Sequence, residues 1–250
     1  MYQDISNRYL PSTIYSYTFK PTGYSCILSL NKGVFMRIAV WIISAILAWC
    51  IGGFNLAIII SRSVYHEDIR DVGSGNPGFT NFRRVYGNKY AWFVFAVDLL
   101  KGAFVPLFFG YWFRSLGFSL QLGAAYTGLF VMLGHLFPVQ FGFKGGKGVL
   151  VLLTELFVLD RRAGLIGTAV LLIVLFITKF MSLASMIGLA TGAVFLFIFG
   201  CDLSAAFIYS ACVLLMIGRH KGNIKRLLSG TENTFQIKRR EENVEEGQKQ

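Results

Sequence analysis

Three stretches of the sequence gather residue types that handle anions. The first, DVGSGNPGFTNFRR (71–84), crowds Ser74, Asn76, Thr80, Asn81 and Arg84 among glycines and a proline. Glycine lets backbone N–H groups converge on an anion without Cβ obstruction, and hydroxyl, amide and guanidinium groups complete such a nest. Phosphate is its natural guest. The second, GHLFPVQFGFKGGKG (134–148), sets Lys144 and Lys147 around Gly145 and Gly146, a composition that also suits a phosphate. The third, RHKGNIKRLLSGTE (219–232), spaces His220 and Asn223 i, i+3, so on a helical turn both side chains face one way.

Each stretch alone has a plainer reading: a flexible loop, a basic anchor snorkelling to lipid headgroups, a juxtamembrane tail, with His135 a packed structural histidine. Stronger short patterns fail on context. GSGNPG (73–78) matches the dinucleotide fingerprint, but the preceding YHEDIRD is no buried strand and no βαβ unit surrounds it. No Walker loop aligns with Lys144 or Lys147. His66 and Asp71 fit the H-x-x-x-x-D pattern of acyl-CoA-dependent glycerolipid acyltransferases, yet the Phe-Pro-Glu-Gly element and soluble α/β domain of that family are missing.

The elements that must carry these stretches are membrane spans. Of 250 residues, 54% are hydrophobic and only 15% charged, with mean hydropathy +0.56, more apolar surface than a water-soluble core of this size hides. Windows long enough to cross hydrocarbon lie near 38–60, 89–113, 118–140, 147–159, 163–178, 182–200 and 204–217. The expectation is an all-α polytopic membrane protein with about seven transmembrane helices, N-terminus outside and C-terminus cytoplasmic. That orientation puts 16 of the 24 basic residues inside against seven outside, and every glycine-rich polar stretch on the cytoplasmic face. The net charge of +11 is then largely this inside bias, and no nucleic-acid partner is expected. Asp98 and Lys101, i, i+3 apart, read as the only charges deep in a span and as an ion pair that lowers their cost in lipid. Cys26, Cys50, Cys201 and Cys212 form no close pair and read as inert thiols. Residues 1–35 read as a polar, dispensable extension ahead of MRIAVWIISAILAWC, residues 36–237 as the membrane domain, and 238–250 as a charged, disordered tail.

In that order and at those intervals, DIRDVGSGNPGFTNFRRVYG, DLLKG, GHLFPVQFGFKGGKG, SLAS and HKGNIKRLLSGTE resemble the PlsY family, bacterial membrane acyltransferases that use acyl phosphate to acylate glycerol 3-phosphate. The resemblance spans about residues 36–237. It implies a seven-helix fold in the cytoplasmic (inner) membrane, a cytoplasmic site, no acyl-CoA, no cofactor and no metal, with 1-acylglycerol 3-phosphate made for phospholipid synthesis. It implies catalytic roles for Ser74, Arg84, His220 and Asn223. It implies substrate binding by Asn76, Thr80, Asn81, Lys144, Gly145, Gly146, Lys147 and Ser182, and structural roles for Asp98, Lys101 and Glu232. Two places depart from the family pattern: VLV (149–151) stands where Val-Ala-Thr is usual, and GGFN (52–55) where Gly-Ser-Ile-Pro is usual.

An acyl phosphate already carries a good leaving group, so such an enzyme has mainly to hold two anions together and stabilise charge on the carbonyl oxygen. The hydroxyl proton goes to His220 or to the donor's own phosphate, and with no carboxylate placed to polarise His220 the phosphate is favoured. The rival from another class is a transporter or binding protein for phosphorylated lipids or small anions. Transporters place their sites near the bilayer midplane, whereas here the polar groups gather at one face.

Overall fold

A computed structural model describes residues 23–235, with side chains from Phe35 onward. Residues 1–22 of the expected extension and the whole of the expected tail lie outside it. Of the described residues, those from Val40 onward form one compact unit and the helical stretch before Val40 belongs to another. Among the described residues ten α-helices follow in order: α1 (Gly23–Gly52), α2 (Leu56–Val64), α3 (Phe79–Tyr86), α4 (Asn88–Ser115), α5 (Leu120–Leu136), α6 (Val149–Leu159), α7 (Arg161–Thr178), α8 (Met181–Ile198), α9 (Leu203–Arg219) and α10 (Lys221–Leu228). Helix α1 starts upstream of Met36, where the sequence reading saw only unpatterned polar residues.

Five stretches of described helix are long and apolar enough to cross a membrane, six if α9 and α10, bent by 57° at His220, are taken as one span. The remaining segment, α6, is apolar but only 11 residues long. The seven expected segments thus fall on helices, the first of them, 38–60, on both α1 and α2 across a break, and the chain is a multi-pass membrane protein. Outward-facing Phe104, Phe108, Phe176, Ile177 and Leu214 are exposed and meet lipid rather than water.

Inside, α5, α6, α8 and α9 close on a core of Leu152, Leu156, Leu189, Leu196, Tyr209 and Met216. Glycine sets two of the closest approaches: a Cβ on Gly134 would stand 2.1 Å from the carbonyl oxygen of Trp49, and one on Gly102 would stand 2.6 Å from that of Val151. Small residues at such crossings let backbones touch where no hydrophobic force drives helices together in lipid.

The ion pair expected in α4 is present, Lys101 Nζ lying 2.8 Å from Asp98 Oδ1. Its role is wider than mutual neutralisation. The chain breaks between α1 and α2 at Gly53 and Phe54, which frees carbonyls, and Lys101 donates to those of Gly52 (3.2 Å) and Phe54 (3.0 Å). The expectation that these are the only deep charges is corrected by Glu155 of α6, fully buried with neither carboxyl oxygen bonded to any described residue. A single acid inside an apolar run escaped the window count.

Candidate active site

Apart from α2, capped by Asn55, and α4, which starts uncapped at Gly87 outside the cavity lining, the helix starts given side-chain partners and those left without fall into two groups. The first N–H groups of a helix have no intrahelical partner, and a side chain, water or ligand must take them. In one group, Ser119, Asp160 and Asp202 cap α5, α7 and α9 with their own oxygens. Gln121 ties these starts together through Leu159 O (3.0 Å) and Asp202 N (2.8 Å). In the other, α3, α6, α8 and α10 begin without a side-chain cap. The first residues of α3, α6 and α8 and the N-cap of α10 line a single cavity of about 160 Å³. Free N–H groups and the positive end of each helix dipole make such starts anion sites.

Local sequence explains each start. Gly78, extended at φ −144°, lets the loop turn into α3, which buries Phe82 against Ala57, Ile58 and Ile69 and sends Arg84 to the cavity mouth. Gly148, at φ +79°, opens α6. A Cβ there would stand 2.1 Å from Met132 Sδ. His220 ends α9 and starts α10, so its ring and the side chain of Asn223 fall on the inner face.

Within the cavity, Glu232 is a hub. It accepts from Ser182 Oγ (2.8 Å) and Asn223 Nδ2 (2.6 Å), and binds Arg226 Nε (2.8 Å). Burial raises its pKa, but these three donors outweigh it and hold the carboxyl below its ordinary range. Asn223 Oδ1 accepts in turn from Lys147 Nζ at 2.5 Å. Burial, with Arg226, Arg219 and Arg84 nearby and only partly offset by Glu232, pulls Lys147 down to about 8. Arg84 lines the cavity and has no hydrogen bond or ion pair with any described residue, so its five N–H donors are left for a ligand or water.

His220 lies 2.8 Å through Nδ1 from the Met216 carbonyl oxygen. A carbonyl only accepts, so Nδ1 carries the proton and Nε2 offers a lone pair. Burial first, and the charge of Lys147 second, push His220 down to about 4. At neutral pH it is an uncharged acceptor.

Ser74, Asn76, Thr80, Asn81, Arg84, Lys147, Ser182, His220, Asn223 and Glu232 all line this cavity, as does Asp98 at its floor, while Lys101 braces from behind. Lys144, Gly145 and Gly146 do not. Lys144 is exposed, and the N–H groups of Gly145 and Gly146 are spent on Leu136 O and His135 O, both at 3.0 Å. The expected backbone nest in the first stretch is corrected likewise. Ser74 N bonds Asn81 Oδ1 (2.8 Å), Gly75 N bonds Val72 O and Gly78 N bonds Asn76 O. The glycines fold the loop and the helix starts supply the donors. Asn81, which also donates to Val72 O (3.1 Å), braces that loop while lining the cavity. His66 and Asp71 are exposed and are not among the residues lining this cavity, which removes the H-x-x-x-x-D pattern from the site.

Sequence reasoning missed the clamps. Arg70, paired with Asp68, donates to Phe141 O (2.7 Å) and Lys144 O (3.1 Å), and Arg219 donates to Gly145 O (3.1 Å), so two arginines hold the lysine-glycine loop by its carbonyls. It also missed Phe235, whose N–H bonds Lys179 O at 2.7 Å and draws residues 231–235 along the cavity rim. No signal short of tertiary contact marks these.

Comparison with known proteins bears on the same region. The family model described as glycerol-3-phosphate acyltransferase matches residues 42–230. A Francisella philomiragia protein named glycerol-3-phosphate acyltransferase is 38% identical over 198 residues, 79% of this chain and 94% of its own length. One of that name from Aquifex aeolicus is 37% identical over 190 residues, 76% and 96% of the two chains. Among solved structures, PlsY, described as an integral membrane glycerol 3-phosphate acyltransferase, superposes in its glycerol 3-phosphate form with TM-score 0.72 at 35% identity, covering 78% of this chain and 96% of that one. Its lysophosphatidic acid form gives 0.69 at 34%, covering 78% and 95%.

Proposed function

Because the chain belongs to the glycerol-3-phosphate acyltransferase family, we propose that it moves an acyl group from an acyl phosphate to glycerol 3-phosphate, releasing 1-acylglycerol 3-phosphate and phosphate on the cytoplasmic side of a bacterial inner membrane, with the N-terminus outside. The observation that carries this reading is the cavity at one end of the bundle, where uncapped helix starts, Arg84 and Lys147 face apolar Phe79, Phe95 and Leu150. An anion site with an apolar wall suits a substrate that is a phosphate at one end and an acyl chain at the other. A transporter would call for a site near the bilayer midplane on interrupted helices, whereas this cavity is lined by the starts of α3, α6 and α8 and by the α9–α10 junction, which suits a site that meets a soluble and a lipid substrate together.

The step needs no protein nucleophile. The acceptor hydroxyl oxygen attacks the acyl carbon, the C–O bond to phosphate breaks with its electron pair leaving on phosphate, and the proton ends on a phosphate oxygen. Arg84, Lys147 and the helix starts hold the two phosphates against their repulsion, Ser74 and Thr80 offer hydroxyl donors at the loop, and His220 Nε2 accepts the acceptor's hydroxyl and aims it. Asn223 and Glu232 hold Lys147 and Ser182 in place. Purified chain given acyl phosphate and labelled glycerol 3-phosphate should form labelled lysophosphatidic acid and phosphate one to one; turnover with acyl-CoA instead would overturn the choice of donor.

Lys147 gives the reaction a pH signature. With the free-enzyme pKa near 8, the ammonium is charged below that value and lost above it, so kcat/KM should fall with a one-proton limb at about pH 8. Lys147→Arg, which stays charged, should move that limb out of the range even if its plateau is lower. An unchanged limb in the Arg variant would take Lys147 out of the anion site. The membrane domain is taken to begin at Met36, so a chain starting there should insert and keep its activity; normal insertion with lost turnover would show that earlier residues are needed.

A further inference from the structure

The sequence reading set His135 aside as packing, and its surroundings in the structure point elsewhere. It lies near the C-terminal end of α5, 3% exposed, on the floor of the cavity beside Asp98. Lys101 Nζ lies 2.9 Å from His135 Nδ1. An ammonium has only protons to give, so Nδ1 is the acceptor and the ring's single proton is on Nε2. Protonating Nδ1 as well would set two cations face to face at that distance, with one carboxylate, Asp98, between them: 2.8 Å from Lys101 and 3.7 Å from His135. Arg219, on α9, is the further charge that faces this group. Lys101 is itself fixed by the carbonyls at the α1–α2 break. The ring is therefore locked in one tautomer from behind.

Its front meets the lysine-glycine loop. Gly146 packs so closely on Nε2 that a Cβ there would stand 2.3 Å from it, and no described residue accepts the Nε2 proton. A glycine at 146 keeps that proton unobstructed beside Lys147. Resting on the acyltransferase reading, we propose that His135 Nε2–H donates a hydrogen bond to a phosphate oxygen of a bound substrate, with Lys101 and Asp98 as positioning residues that fix the tautomer. The cavity then holds two histidines of opposite sense: His220 presents a lone pair to a hydroxyl, and His135 presents a proton to an anion. Either substrate phosphate supplies the same chemistry, and the test separates them.

The full chain labelled with [15N]histidine contains three histidines, His66, His135 and His220, assignable by single substitution. At neutral pH His135 should show an unprotonated Nδ1 and a protonated Nε2. Saturating glycerol 3-phosphate, or an acyl phosphonate standing in for the donor, should move the Nε2 resonance; the ligand that does so identifies the phosphate. An Nδ1–H tautomer, or an Nε2 signal unmoved by both ligands, would overturn the proposal, and neither readout needs turnover. In kinetics, His135→Asn keeps an acceptor for Lys101 but is too short to reach the cavity. Its kcat/KM should fall about 100-fold with an unchanged thermal transition, as expected for one lost donor to a transition-state anion. Wild-type kcat/KM in a folded Asn variant would also sink it. If the variant does not fold, the resonance measurements decide.

Discussion

Arg84→Lys should lose about 10²–10³ in kcat, although it keeps the positive charge. The reason is geometric. Arg84 spends none of its donors on described protein groups, so its whole fork is available at the cavity mouth, with the dipole of the uncapped α3 start on the same side. Guanidinium meets a phosphate with two parallel hydrogen bonds, and an ammonium, a hydrated point charge, reproduces neither the fork nor its angle. The loss should fall on turnover more than on stability, because no described bond of the fold depends on Arg84. Single-turnover rates and a thermal transition measured on the same preparation separate the two. Near-normal rates for the Lys variant would remove Arg84 from the site.

The second large effect is at His220. Full loss of a general base costs ~10²–10⁴-fold, so a smaller loss in a variant that retains an acceptor argues against that role. With Nδ1 held by Met216 and its pKa pushed down to about 4, His220 is a weak base at neutral pH and a good hydroxyl acceptor. His220→Gln, whose amide oxygen can take the place of Nε2, should keep a measurable fraction of the rate. His220→Ala should fall further, since it leaves the acceptor hydroxyl unaimed. No limb of the wild-type pH profile near the ordinary imidazole value of ~6.5 should belong to His220. Its neutral form is the one present above that value, and it gains a proton only as pH falls towards 4. A limb near 6.5 that flattens in the Gln variant, together with a loss in the full general-base range, would make His220 the base and displace the substrate phosphate from that part.

Much of this site was legible because its chemistry is local. A run of glycines with Ser74, Asn76, Thr80 and Arg84, the pair His220 and Asn223 on one helical turn, and the i, i+3 pairing of Asp98 with Lys101 are all written within a few residues, and the structure places each of them in or directly under one cavity. What could not be read depends on residues far apart in sequence. Lys144 and Lys147 look alike as letters; only the fold, with Arg70 and Arg219 pulling on the carbonyls of the loop, turns one to solvent and the other inward. Asn81 reads from the sequence as a substrate ligand, and the bonds that also tie its amide to Ser74 N and Val72 O become visible only in the fold. His135 looked like packing because the sequence does not say that a lysine 34 positions away fixes its tautomer. The absence of caps on α3, α6, α8 and α10 was in the letters all along, but it means something only once all four starts are known to meet.

The most direct test of the central claim, that this cavity is where the two anions meet, is a structure of the chain with glycerol 3-phosphate bound. The account predicts the phosphate within hydrogen-bond reach of Lys147 and of at least one uncapped helix start, Arg84 turned in from the mouth, and a glycerol hydroxyl at His220 Nε2. Glycerol 3-phosphate seated instead on the outer face of the loop, at Lys144 and away from His220 and Asn223, would contradict it.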